Sequence, residues 1–520
     1  MDAVELGLFA GRIGAVCDEM GAVLRRAAFS PNIRDRLDFS CAVFDAEGEL
    51  AAQAAHIPVH LGSMAYAMRD LVGRMGWAPG DQVVVNDPFL GGTHLPDVTL
   101  IAPVFAEGRL VAFVASRAHH ANIGADAPGS MPLSRTLEEE GVILPPAHLW
   151  RGREREAAPW GAIVAATGGG PEVEGDFAAQ ASANRAGVAR LEALVAELGA
   201  EGLARSLAAL QDYGERMSRA ALAELPAGAY TFTDYLDDDG AGQVDLPIRV
   251  ALEVTDEGVA VDFAGTAGQT PGNVNCPLAV AAAAVFYAFR CLMPTGTPAC
   301  AGAFRPIALH APEGCLVNAR RPAAVAAGNV ETSSRLVDAV LGALAGAIPE
   351  RIPAASQGTM NNVAMGGVGK EAGSGWHYYE TVGGGMGAGR DGGGLSGVHS
   401  HMTNTLNTPV EALEMAYPLR VAAYRLRRGS GGAGMRRGGD GLERTYELLA
   451  PARITLLTER RRHAPWGLAG GADGAPGENR LNDTPLPGKT TFTAEAGDRL
   501  TIATPGGGGW GRPASINEEP

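Results

Sequence analysis

Apolar residues recur at helical spacing through the first 28 positions. Val4, Leu8, Ile13, Val16, Met20, Val23 and Leu24 fall on one face, which predicts a helix over 3–28. Ser30-Pro31-Asn32 ends it. The pattern then shortens to that of strands. Residues 39–44 and 49–53 flank Asp45-Ala46-Glu47-Gly48, which predicts a first β-hairpin. A helix over 61–73 and a short strand at 83–85 follow. Strands at 98–105 and 110–115 around Ala106-Glu107-Gly108-Arg109 predict a second hairpin.

Further along, helices are predicted over 188–198 and 203–222, separated by residues 199–202. A β-rich stretch from 230 to 263 turns at Asp237-Asp238-Asp239-Gly240, and helices follow at 278–292 and 332–347. Beyond residue 350 the texture changes. Gly-Gly steps at 383–385, 392–394, 431–432 and 506–509 alternate with strands such as 453–457. The pattern predicts a mixed α+β, multi-domain chain. An α+β domain with a candidate metal site spans 1–225. A central sheet with helices spans 226–349, a Gly-rich β domain spans 350–512, and 513–520 is a tail.

The chain has 520 residues, of which 72 are Gly. That is about twice the usual share, and it predicts tight turns and close backbone approaches in the last third. With 42 basic and 58 acidic side chains the net charge is −16, which argues against nucleic acid as a partner. The six cysteines form no Cys-x-x-Cys pair and read as reduced, buried thiols. The opening Met1-Asp2-Ala3-Val4-Glu5 lacks the basic start of a secretory signal. The most apolar run, 277–293, carries Arg290 and is too short for a membrane span. The expectation is a cytoplasmic protein without a membrane segment.

Candidate chemistry concentrates at the open ends of the two hairpins. His94-Leu95-Pro96-Asp97 precedes the second hairpin, and Arg117-Ala118-His119-His120 follows its return strand. Antiparallel pairing sets residues 94–97 opposite roughly 118–121. Imidazole and carboxylate together suit Mn²⁺, Fe²⁺ or Zn²⁺. Asp38 and His56 occupy the matching places on the first hairpin, with His60 four residues on. Either of these two histidines could instead simply cap or hydrogen-bond its Pro-containing loop. A polar cluster at Tyr378-Tyr379-Glu380-Thr381 and His399-Ser400-His401 is either a hydrogen-bonded loop or a substrate-facing wall. His399 and His401, if on a strand, share a side. No Gly-Lys-Ser/Thr loop or Gly-x-Ser-x-Gly elbow is present.

Several of these stretches resemble the hydantoinase B/oxoprolinase family. They include residues 30–41 (Ser30-Pro31-Asn32-Ile33-Arg34-Asp35-Arg36-Leu37-Asp38), 56–64, 86–97, 328–333 (Gly328-Asn329-Val330-Glu331-Thr332-Ser333) and 355–362. His401-Met402-Thr403-Asn404-Thr405, 429–434 and 504–509 continue the likeness, which runs from about residue 3 to 512. The resemblance implies one divalent metal ion held by Asp38, His94, Asp97 and His119, so that Asp38 takes the place of His56. It implies a separate A-type ATPase subunit, which binds the ATP, in a hetero-oligomer with α2β2 among the options. The implied activity is hydrolysis of a lactam, a hydantoin or 5-oxoproline, phosphorylated by the partner and opened here by metal-activated water.

Proton transfer would fall to His120, Glu140, Glu380 or His399, although Glu138-Glu139-Glu140 also reads as a solvated turn. Two other readings stand beside this one. One is carboxylation of a phosphorylated substrate in the manner of acetone carboxylase. The other is a scaffold whose metal is structural.

Overall fold

The computed structural model describes residues 1–55, 57–367 and 376–513. Helix α1 (Ala3–Ala27) begins at a capping box, in which the Asp2 carboxylate accepts from the Val4 and Glu5 amides. Its buried face is Phe9, Ile13, Val16, Cys17, Met20 and Leu24. A one-turn helix, α2 (Pro31–Arg34), leads into β1 (Phe39–Asp45) and β2 (Leu50–Ala55). Helix α3 (His60–Val72) and strand β3 (Gln82–Val85) follow. The second hairpin is β4 (Asp97–Ala106) and β5 (Arg109–His119).

With β6 (Ala147–Arg151) and β7 (Glu154–Arg155) these strands form one sheet, in the order β2-β1-β5-β4-β3-β6-β7. The two predicted hairpins are therefore neighbours, joined through antiparallel β1 and β5 with Phe39 opposite Ala118. That pairing brings the start of β1, the end of β5 and the start of β4 to one end of the sheet.

Helix α4 (Ala157–Thr167) precedes α5 (Pro171–Leu198), which runs far longer than the predicted 188–198. The hidden part is helical but not amphipathic in the ordinary sense. Its core-facing side carries Asp176, Gln180 and Asn184, one turn apart and buried. Gln180 Nε2 donates to the Val98 and Ser116 carbonyls at 3.0 and 3.1 Å, and Asn184 Nδ2 to the Leu100 carbonyl at 3.1 Å. Polar side chains on the sheet-facing stripe erased the apolar period. Helix α6 (Ala200–Leu222) follows after the single break at Gly199, not the four-residue separator expected.

A second sheet, order β11-β10-β9-β8, is built from β8 (Gly228–Asp238), β9 (Val244–Thr255), β10 (Gly258–Asp262) and β11 (Ile307–His310). Helices α7 (Leu278–Arg290) and α8 (Ser333–Ala345) accompany it, α8 being preceded by a π-turn at Gly328–Thr332. Wide turns of this kind are frequent at functional sites. Among the described residues, two further sheets fill the C-terminal third, one drawing strands from between 362 and 494 and one from between 419 and 503.

One hydrophobic cluster links several of these regions, from Ile57 and Val59 through Leu252 and Val340 to Met360 and Leu457. Buried ion pairs add to it. Arg460 binds Asp234 at 2.9 Å and Asp338 at 2.7 Å, and Glu459 binds Lys489 at 2.5 Å and Arg335 at 3.3 Å. The late glycines pack backbone against backbone. A Cβ on Gly507 would stand 2.1 Å from the Met386 carbonyl, and one on Gly438 would stand 2.0 Å from the Gly507 carbonyl. These loops are a close-packed backbone core, as their composition predicted, and their amides are spent on one another (Gly507 to Gly439 and Gly385 to Pro505, each 2.9 Å). Among the described residues no helix is long and apolar enough to cross a membrane.

Candidate metal centre

Asp97 opens β4 and His119 closes β5, and the two are direct cross-strand partners. His94 sits one turn before Asp97, whose amide donates to the His94 carbonyl at 3.1 Å. The approach loop is fixed from two sides. Gly91 has φ of +89°, and a Cβ there would stand 2.3 Å from the Ala67 Cα of α3. Buried Arg117 donates to Thr99 at 2.8 Å, to Ser63 of α3 at 2.6 Å and to the Gly91 carbonyl at 3.2 Å. Burial lowers that guanidinium only to about 10, so it stays charged at neutral pH.

The donor atoms of His94, Asp97 and His119 lie within 4.8 Å of one another, and all three residues are buried. His94 Nε2 is 3.4 Å from Asp97 Oδ1. That is close to the edge of a tetrahedron with ligand bonds of about 2.1 Å. The Nε2 atoms of both His94 and His119 are buried without a hydrogen-bond partner. Two orphaned imidazole nitrogens beside a carboxylate fit a divalent cation. The cavity they line measures 20 Å³, and Asp38, His60, Asn329, Tyr379 and Thr381 line it too. It has room for about one ion or one water.

Asp38 therefore shares the cavity but stands outside the tight triad. Its carboxylate is 3.6 Å from buried Arg36, and its carbonyl accepts from the His119 amide at 3.0 Å. Burial raises its pKa against the pull of Arg36. For Asp97 burial works the same way. There the pull of the His94 and His60 imidazoles prevails, holding the carboxyl well below its usual range. His119 is kept neutral, first by burial and then by His94. A neutral imidazole beside a carboxylate anion is the donor set that a cation requires.

The surrounding shell was mostly missed by sequence reasoning. Thr93 Oγ1 donates to Asp97 Oδ2 at 2.5 Å, Asn329 Nδ2 reaches the same oxygen at 3.3 Å, and His60 Nε2 lies 3.3 Å from it. His60 Nδ1 faces Ser40 Oγ at 3.0 Å. These contacts place the His60 proton on Nε2, toward Asp97, so His60 orients the carboxylate. Asn32 meets His119 Nδ1 at 3.3 Å, and Tyr379 stacks on the His119 ring with centroids 4.9 Å apart. Asn32, Thr93 and Asn329 all lie inside stretches that carry the family resemblance, and that was the available signal. His56 lies outside the described residues.

The four candidates for proton transfer are not gathered at this cavity. His120 Nε2 is bound to Gln180 Oε1 at 2.8 Å, with its ring against Phe177. Glu140 is fully buried, unlike its exposed neighbours Glu138 and Glu139, which corrects the solvated-turn reading for that residue. Its Oε1 accepts from Ser134 at 2.7 Å and from the Val325 and Ala326 amides at 2.8 and 2.9 Å. Burial raises it to about 7. Glu380 is buried against Arg444 at 2.9 Å, accepts from the Thr408 amide at 2.6 Å and receives the Tyr378 hydroxyl. His399 and His401 are not on a strand, and His401 has φ of +58°. They line a different cavity.

The sequence profile of the hydantoinase B/oxoprolinase family matches residues 2–513. An uncharacterized protein of Methanocaldococcus jannaschii is 38% identical over 99% of this chain and 91% of its own length. 5-Oxoprolinase 1 of Arabidopsis thaliana is 37% identical over 98% of this chain, which spans only 42% of that longer protein. A Pseudomonas protein named as one of the subunits of a D-/L-hydantoinase is 30% identical, covering 100% of this chain and 91% of its own. Among solved structures, the ATP-dependent caprolactamase of Pseudomonas jessenii matches with a TM-score of 0.91 at 28% identity, over 99% of this chain and 92% of that one. Nucleotide-free acetone carboxylase matches with a TM-score of 0.85 at 18% identity, over 98% of this chain and 76% of that one, a likeness of fold.

Proposed function

The chain belongs to the hydantoinase B/oxoprolinase family, and we propose that it is the ring-opening subunit of an ATP-dependent cyclic-amide hydrolase. A separate A-type ATPase phosphorylates the amide oxygen, and this chain completes the hydrolysis. The observation that carries the reading is the buried triad of His94, Asp97 and His119 with two orphaned imidazole nitrogens. Names among the relatives support the reaction class and the partner: one is a 5-oxoprolinase, and another is a single subunit of a hydantoinase.

His94, Asp97 and His119 would hold one divalent cation, with Asp38 as the fourth ligand from the same cavity wall. Such an ion, when bound, supplies Lewis acidity and a nucleophile at neutral pH. The two carboxylates balance its charge. Thr93, His60 and Asn329 fix the Asp97 carboxylate, while Asn32 and Tyr379 fix the His119 ring, so the donors need no rearrangement. Glu140 holds the amides of Val325 and Ala326, and the Ala326 carbonyl faces His94 Nδ1 at 3.4 Å. In this scheme His120, Glu140 and Glu380 position their neighbours. His399, lowered to about 4 by burial and then by Arg36, stays neutral and is a weak base at neutral pH.

The test is co-purification with an A-type partner, followed by ATP and a panel of lactams, hydantoins and 5-oxoproline. The expected result is ring opening that depends on ATP, on the partner and on a divalent ion. Turnover that requires bicarbonate would point to carboxylation instead, and ring opening by metal-stripped enzyme would contradict the scheme.

A further inference from the structure

The 20 Å³ cavity at the triad cannot hold an organic ring. Pockets for small molecules run roughly from 300 to 1,000 Å³. A second cavity of 380 Å³ meets that size and adjoins the first, with Thr403 lining both. The partition between them is thin. Ile57 and Val59 face the metal cavity and Pro58 faces the larger chamber. Across from them, residues 401–405 divide in the same way, with His401 and Asn404 on the chamber side and Thr405 on the metal side. One backbone hydrogen bond, from the Val59 amide to the Met402 carbonyl at 3.3 Å, stitches the two segments.

The chamber wall combines apolar and unspent polar groups. Tyr287, Leu292, Leu341 and Ile352 supply the apolar part. Both ring nitrogens of His399 are buried without a partner. His401 Nε2 stands 3.4 Å from Asp338, whose other oxygen binds buried Arg460 at 2.7 Å, so this imidazole is backed by a fixed carboxylate. Arg351 also lines the chamber, but Glu224 at 2.7 Å already engages it. Unpartnered buried nitrogens in an apolar chamber are the arrangement that recognises a small ligand with one polar edge.

We propose that this chamber, and not the metal cavity, receives the ring of the cyclic amide. His399 contacts the amide edge, and Leu292 and Leu341 limit ring size. The amide edge lies at the Thr403 end of the chamber, Thr403 being the one described residue that lines both cavities. This assignment rests on the cyclic-amide reading above.

Cys291 provides the test, because it lines the chamber and is the exposed one of the six cysteines. Alkylation of Cys291 by iodoacetamide, followed by intact mass, is measured with and without each cyclic amide of the panel. Protection by at least about fivefold is expected from a cyclic amide that binds. In the complex with the partner, Leu292→Trp should raise KM by about tenfold or more, most for seven-membered rings, with metal content held. If the wild-type complex opens rings while Cys291 reacts at an unchanged rate and Leu292→Trp keeps its KM, the chamber assignment fails and the function stands. If the wild type opens no ring, the function fails, and labelling alone decides the chamber: protection keeps it and no protection overturns it. Should Leu292→Trp fail to fold, the labelling result decides.

Discussion

Glu140 separates positioning from catalysis at this centre. Its Oε1 holds three donors, the Ser134 hydroxyl and the amides of Val325 and Ala326. The Ala326 carbonyl in turn faces His94 Nδ1. Glu140→Leu leaves those three donors buried and unsatisfied. At about 1–3 kcal/mol each, the loss is on the order of 4 kcal/mol after partial relaxation. His94 also loses its orienting carbonyl, and disturbing such outer contacts weakens metal binding by about 10–100-fold. Glu140→Gln keeps an oxygen at the same place, so metal affinity and kcat should stay within about threefold of wild type. A general acid or base would instead lose about 10²–10⁴ in rate on that change. The assay is metal titration by calorimetry together with steady-state kinetics of the complex over a pH series. Loss of 100-fold or more in kcat for Glu140→Gln, with metal retained and the alkaline or acid limb near neutrality abolished, would refute the positioning role.

Three further outcomes follow from the same structure. Chelation should lower the unfolding temperature, since a free ion at 100 times its Kd stabilises by about 2.7 kcal/mol; an unchanged melting curve in a stripped sample would contradict this. Glu331 is raised to about 7 by burial, so the native state binds its proton more tightly than the unfolded chain does. Its contribution is therefore largest below the unfolded value and is lost as pH climbs toward 7. Glu331→Gln should gain about 2.4 kcal/mol relative to wild type between about pH 5 and pH 7.5 in chemical denaturation, and a flat difference would count against it. Gly507→Ala drives a Cβ to 2.1 Å from a backbone carbonyl and should abolish soluble protein, whereas Gly389→Ala meets nothing within 4 Å and should melt like wild type.

The approach of Asp97 and His119 was legible because it depends largely on two local facts, a strand period of two and a four-residue turn. Those facts set residues 94–97 opposite roughly 118–121, and the observed register pairs Asp97 with His119, one place beyond the turn-centred partner Ala118, because a bulge falls between Val104 and Phe105. The sequence could not show that β1 joins β5, which draws Asp38 to the same end of the sheet. That pairing is non-local; the hairpin pattern offered Asp38 and His56 alike, and only the resemblance chose Asp38. His60 was judged by its loop, with Pro58 interrupting the spacing, although its partner Asp97 lies 37 residues away. Helix α5 was half hidden because Asp176, Gln180 and Asn184 bond to strand and loop backbone where apolar residues are the usual choice. The glycine-rich third was recognised by composition. Its topology was not, because backbone packed on backbone leaves no side-chain period to read.

The central claim is tested most directly by counting metal in the purified protein and its variants by mass spectrometry, with X-ray absorption on the bound ion. One ion per chain is predicted in wild type, in a shell of imidazole nitrogen and carboxylate oxygen at about 2.0–2.2 Å. Asp97→Ala and His94→Ala should hold none under the same conditions. Full metal content in both variants, or an ion whose shell contains no imidazole, would contradict the account.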